Sequence, residues 1–138
     1  VRNQQIAAVL AWELRRRPSV AMSLRTALAL SGLDACRTLT LLNVMALCLP
    51  IQPVRWGWAV VDVTPAWPMP RNAAQRGAVL AWTLAQHPLT VLQAAALTGL
   101  ARNSAYVALV RVAEVVPIWD DNSQWRTKSR QGVLWRGT

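Results

Sequence analysis

Phenylalanine is absent from the 138 residues, and histidine, lysine and tyrosine occur once each. The single histidine, His87, directly precedes Pro88, which suits a helix-end or surface position better than a catalytic base. The acids are few, Glu13, Asp34, Asp62, Glu114, Asp120 and Asp121, and none forms a paired arrangement for acid–base chemistry. Asp34 stands where a helix N-cap belongs, and Asp120-Asp121 opens a turn. No glycine-rich phosphate loop is present. An enzyme is therefore not expected. The only cysteines, Cys36 and Cys48, fall in one predicted helix ~18 Å apart, too far to bridge. No CxxC or Cys/His spacing occurs, so neither a metal site nor a cofactor is expected, and free buried thiols fit a reducing cytoplasm. Between Arg76 and Arg102 no charged residue occurs, but Gln86, His87, Pro88 and Gln93 break that stretch, so a membrane span is not expected. The start shows no signal-peptide pattern, and the missing initiator methionine suggests a trimmed or internal segment.

What is present is apolar and basic. Hydrophobic residues make up 54% and charged residues 15%, enough to demand a packed core. Eight tryptophans supply large apolar area to small cores. Lys+Arg number 15 against six acids, a net charge of +9, and such a field attracts a polyanion, nucleic acid or an anionic membrane surface. Fourteen of those cations are arginine, which a GC-rich coding sequence also explains.

The central feature is an internal repeat. AVLAW at 8–12 recurs at 78–82, an offset of 70 that also matches Leu14 with Leu84 and Pro18 with Pro88. At an offset of 67, residues 31–51 lie over 98–118, aligning Gly32/Gly99, Leu33/Leu100, Leu42/Leu109, Ala46/Ala113, Pro50/Pro117 and Ile51/Ile118. Prolines 65, 68 and 70 between the copies favour a stiff, extended connection. The chain thus divides into a first unit, 1–64, a Pro-rich linker, 65–72, and a second unit, 73–138.

Each copy parses alike. A first helix carries one apolar stripe, Ile6, Val9, Leu10 and Leu14 in one copy and Val79, Leu80 and Leu84 in the other, with Trp12 and Trp82 packing at its edge. A second helix, roughly 20–30 and 90–97, stops at Ser31-Gly32 or Thr98-Gly99, where glycine takes the left-handed conformation of a tight corner. The third helix of the second copy buries Ala105, Ala108, Leu109, Val112, Val115 and Val116, and 117–135 reads as strand, basic loop, strand. The segment LTVLQAAALTGLARNSAYVALVRVAEV (89–115) resembles the winged helix-turn-helix superfamily of bacterial DNA-binding proteins, with Ala95, Gly99, Leu100 and Leu109 at its small, turn and core positions. The expected fold is mainly α with small β-wings, two tandem helix-turn-helix units, at least one winged. The resemblance implies a third helix in the major groove and a wing on the backbone or minor groove.

The residues that would then touch double-stranded DNA are Arg102, Asn103, Ser104, Tyr106, Val107 and Arg111 on the helix, and Trp125, Arg126, Lys128 and Arg130 on the wing. In the first copy, whose third helix is expected over 38–49, Arg37, Thr38, Thr40 and Asn43 keep some capacity for groove contact, and Arg15-Arg16-Arg17 suits either phosphates or a helix C-terminus. That helix also carries Leu39, Val44 and Leu47 on the side facing away from its core, which points to an interface with the second copy, a second chain or a partner protein. The leading expectation is a small bacterial, plasmid or phage transcriptional regulator that binds DNA sequence-specifically. Two others compete: a winged-helix protein–protein adaptor or inhibitor, and a replication or conjugation accessory factor.

Overall fold

A computed structural model describes residues 3–61 and 68–128 of the chain. Two successive sets of six elements share one order. The first is α1 (Asn3–Arg16), β1 (Met22–Ser23), α2 (Leu24–Ser31), α3 (Ala35–Ala46), β2 (Ile51–Val54) and β3 (Gly57–Val60). The second is α4 (Ala73–Leu84), β4 (Leu89–Thr90), α5 (Val91–Thr98), α6 (Arg102–Ala113), β5 (Ile118–Asp121) and β6 (Gln124–Thr127). Each set closes a three-stranded antiparallel sheet, in the orders β1-β3-β2 and β4-β6-β5. Among the described residues the fold is thus mixed: six helices and two small sheets.

Local chemistry sets most boundaries. Asp34 caps α3 by accepting from Arg37 N at 2.8 Å, and Asn72 caps α4 by accepting from Gln75 N at 2.9 Å. Thr90 and Gln93 form a reciprocal capping box at the start of α5. Gly32 (φ 68°) and Gly99 (φ 73°) end α2 and α5 in the left-handed region, as the repeat requires. The second helix of the first set nevertheless begins later than expected, at Leu24. Residues 20–23 are not helical: Ser23, at φ −69° and ψ 156°, caps α2 from an extended conformation, and with Met22 it pairs to β3. Two-residue strands such as β1 and β4 give no periodic signal to read. Likewise α3 ends at Ala46, leaving Cys48 buried beyond it, while Cys36 is exposed, against the expectation of two buried thiols.

Both sets carry a hairpin; the sequence pattern locates strands only in the second. Arg55 and Trp56 make its turn, and Pro53 is tolerated because β2 is an edge strand. In the second hairpin the turn is Asn122-Ser123, with φ of 58° and 75°, and Asp120 Oδ1 accepts from Ser123 N. Of the expected basic loop, Trp125 and Arg126 are instead strand, in β6, and Lys128 lies just beyond it. The remainder of the expected wing, from residue 129 and including Arg130, lies outside the described residues, as do 65–67 of the expected linker; Pro68 and Met69 are exposed and Pro70 is buried.

The two sets meet through α1 and α4, the most extensive helix pair among the described residues. Their facing surfaces are small: Ala7, Ala8, Ala11, Gly77, Ala78 and Ala81 are all buried. A side chain at Gly77 would strike the main-chain carbonyl of Gln4, so glycine permits the close crossing. Trp12 and Trp82 are buried as expected, and one continuous apolar cluster runs from Leu10 and Leu42 to Leu80 and Leu109. Among the described residues no helix is long and apolar enough to cross a membrane.

Candidate nucleic-acid interface

The site is built on α6. Ala105, Ala108, Leu109 and Val112 anchor its inner face in the core, and Ala101 starts the helix without a side-chain cap. Arg102, Asn103, Ser104, Tyr106 and Val107 are consequently exposed, and Arg111 is half-buried one turn further on. The helix is fixed to the hairpin by Tyr106, whose ring stands edge-on to Trp125, centroids 6.1 Å apart at 69°. Helix and hairpin therefore present a joint surface.

Two of the expected contact residues are corrected by burial. Trp125 is 4% exposed and belongs to the core, because β6 pairs with β4 in a register that sets Trp125 opposite Leu89. Thr38 is fully buried and shares a 2.9 Å hydrogen bond with Ser31 beneath the α2–α3 corner. Neither side chain can reach a groove. Arg126 is half-buried and ion-paired to Asp121 at 3.0 Å, and Lys128 is exposed. In the first half Arg37, Thr40 and Asn43 are exposed, but Arg37 is paired to Asp34 at 3.8 Å and Thr40 Oγ1 donates back to the Cys36 carbonyl. Of the triple arginine, Arg15 sits 5.9 Å from the Trp82 ring centroid, Arg17 pairs with Glu13 at 3.6 Å, and Arg16 is exposed.

The three apolar candidates divide. Val44 is half-buried, and its main-chain carbonyl accepts from Gln75 Nε2 across the α3–α4 contact, so this part of the face meets the second half of the same chain. Leu39 and Leu47 stay exposed, Leu47 at 63%. One feature escaped the sequence reading: Trp56, 75% exposed at the tip of the first hairpin, with the Arg55 guanidinium 5.1 Å from its ring centroid. The Arg-Trp-Gly run before an alternating segment carried that signal, but a turn could not be placed without the strand pairing. His87 is exposed beside Pro88, and no cluster of metal-ligating side chains occurs among the described residues. Comparison with known proteins finds no matching family model, curated protein or solved structure.

Proposed function

We propose that the chain is a sequence-specific double-stranded DNA-binding protein, built from two tandem winged helix-turn-helix units and acting as a small transcriptional regulator. The observation that carries this reading is the outer face of α6. There Arg102, Asn103 and Ser104 stand exposed after the left-handed Gly99 corner, beside a hairpin that ends in exposed Lys128. Arginine and asparagine make paired hydrogen bonds to guanine and adenine edges in the major groove, while a flanking cation suits phosphate. Charge supports the reading in both halves. Residues 1–70 contain seven arginines and three acids, and residues 71–138 contain eight cations and three acids. A duplex would then be held largely by counterion release, so affinity falls steeply with salt. Mobility titrations of a non-specific duplex at several salt concentrations test this. Salt-independent binding, or none at low salt, would overturn it.

A second reading, a protein adaptor or an assembly module, is favoured by one observation. Leu39 on α3 and Leu47 just past its end are exposed, where the aligned positions on and just past α6 carry polar Tyr106 and Glu114. Under this reading the first unit grips another protein or a second copy of the chain, and the second unit alone reads DNA.

A further inference from the structure

A cavity of about 400 Å³ opens between the first turns of α6, the start of α4 and the start of α1. Its polar lining is Gln4, Arg76, Asn103, Ser104 and Arg111, its apolar wall includes Leu100 and Val107, and no acidic residue lines it. Arg76 and Arg111 are both half-buried, and among the described residues neither has a carboxylate within 4.0 Å. Gln4, only 6% exposed, lines the same space. Because Ala101 provides no cap, the main-chain N–H groups in the first turn of α6, at Asn103 and Ser104, are without a capping side chain. Two half-buried arginines, the Gln4 side chain and an uncapped helix start line the same space and bring positive charge and donors to it.

The repeat shows that the fold does not require these cations. At the offsets of 70 and 67, Arg76 corresponds to Ile6, Arg111 to Val44 and Asn103 to Cys36, so the matching place in the first half has no cation at either arginine position. We propose that the cavity is a phosphate site, in which Arg76 and Arg111 hold a phosphate oxyanion and Gln4, Asn103 and Ser104 complete its hydrogen bonding. Guanidinium forks match tetrahedral oxyanions bidentately, and helix-start N–H groups add to the same field. The phosphate is either that of a nucleic-acid strand lying along α6 or that of a free phosphorylated molecule. Only the first source rests on the DNA-binding reading above.

The test follows the Gln4 side-chain amide and the Asn103 and Ser104 main-chain amides by NMR. The whole chain is titrated with inorganic phosphate against chloride at matched ionic strength, and separately with a short non-specific duplex. Saturable shifts with phosphate that chloride does not reproduce are expected, weakened at least about tenfold in Arg76→Gln and Arg111→Gln, since each removes a charge-assisted pair. Should either variant unfold, Arg76→Ile, which copies the first half, serves instead, with thermal unfolding as the fold check. If the duplex shifts the same amides and competes with phosphate, the source is a strand phosphate; if only phosphate shifts them, it is a free ligand. If neither phosphate nor duplex shifts these amides saturably, or if the arginine variants bind phosphate as the wild type does, the site is overturned. Duplex retardation that persists without shifts at these amides would overturn the site while leaving the DNA-binding reading standing.

Discussion

Gln5 Nε2 donates to the main-chain carbonyl of Arg111 at 3.1 Å, tying α1 of the first half to α6 of the second. The relationship has a partner. Gln75 Nε2 donates to the Val44 carbonyl at 3.0 Å, and the repeat aligns Gln75 with Gln5 and Val44 with Arg111. Each half thus offers its first helix to the third helix of the other, the reciprocal pattern of a two-fold interface made within one chain. Gln5→Ala is expected to cost about 1 kcal/mol. Gln75→Ala should cost more, about 1–3 kcal/mol, since Gln75 is buried, whereas Gln5 is half-buried and its second bond, from Nε2 to Glu114 Oε1 at 2.6 Å, is exposed. Urea unfolding followed by tryptophan fluorescence and by circular dichroism should give one coincident transition, because the halves share a core. Two separate transitions would contradict that.

The crossing of α1 and α4 makes a second prediction. Gly77→Ala forces the helices apart at Gln4 and should destabilise by about 1–3 kcal/mol. Gly32 has nothing within 4 Å of an added Cβ, so Gly32→Ala is costly only through its φ of 68°, roughly 1–2 kcal/mol. Asparagine tolerates that conformation. Gly32→Asn should therefore recover most of the loss and Gly77→Asn none of it, as read from urea midpoints.

On DNA, the exposed and the buried candidates should separate. Arg102→Ala and Asn103→Ala are expected to relax base preference, each good contact being worth about 1–3 kcal/mol of discrimination. Lys128→Ala should weaken all duplexes alike and lower the salt slope by about one. Trp125→Ala should instead cost about 3–5 kcal/mol of fold stability. Competition against single-base variants of a selected site, with thermal unfolding alongside, distinguishes these; a change of base preference in Lys128→Ala alone would place the groove contact wrongly.

Leu47 is not needed by the fold, being 63% exposed. Leu47→Asp should therefore shift stability by no more than about 0.5 kcal/mol. If the first half is an assembly module, light scattering will find the wild type associating and the variant monomeric. A wild type monomeric at all concentrations would remove the assembly reading.

The two thiols should differ in reactivity. Burial pushes Cys48 from 9.0 up to about 11, and Cys36 is exposed. One thiol equivalent should react quickly with a disulfide reagent near pH 8 and the second only on unfolding. The folded state holds the Cys48 proton more tightly than the unfolded chain does. Its contribution to stability is therefore complete below pH 9.0 and falls as pH rises towards about 11, a loss that Cys48→Ala should not show. Urea midpoints measured across that window provide the check.

By itself the sequence determined what is local or repeated: the duplication, the left-handed turns at Gly32 and Gly99, the Asp34 cap, the buried Trp12 and Trp82, and the exposed start of α6. Such features follow from spacing of 3.6 residues, from capping side chains and from glycine's freedom at positive φ, all contained within a few residues. The facing of a strand residue is not local. In a strand that alternates with period two, Trp125 turns inward only because β6 pairs with β4 in one register, and a shift of one residue would have sent it to the surface. Tertiary structure likewise decided that Thr38 meets Ser31 under a corner and that the second turn falls at Asn122-Ser123. It also decided that α1 and α4 cross closely enough for Gln5 and Gln75 to reach the opposite half. The Gln75 and Gln5 contacts join groups 31 and 106 residues apart, which no short window of sequence contains, and even the Thr38–Ser31 contact, seven residues apart, depends on how α2 packs on α3.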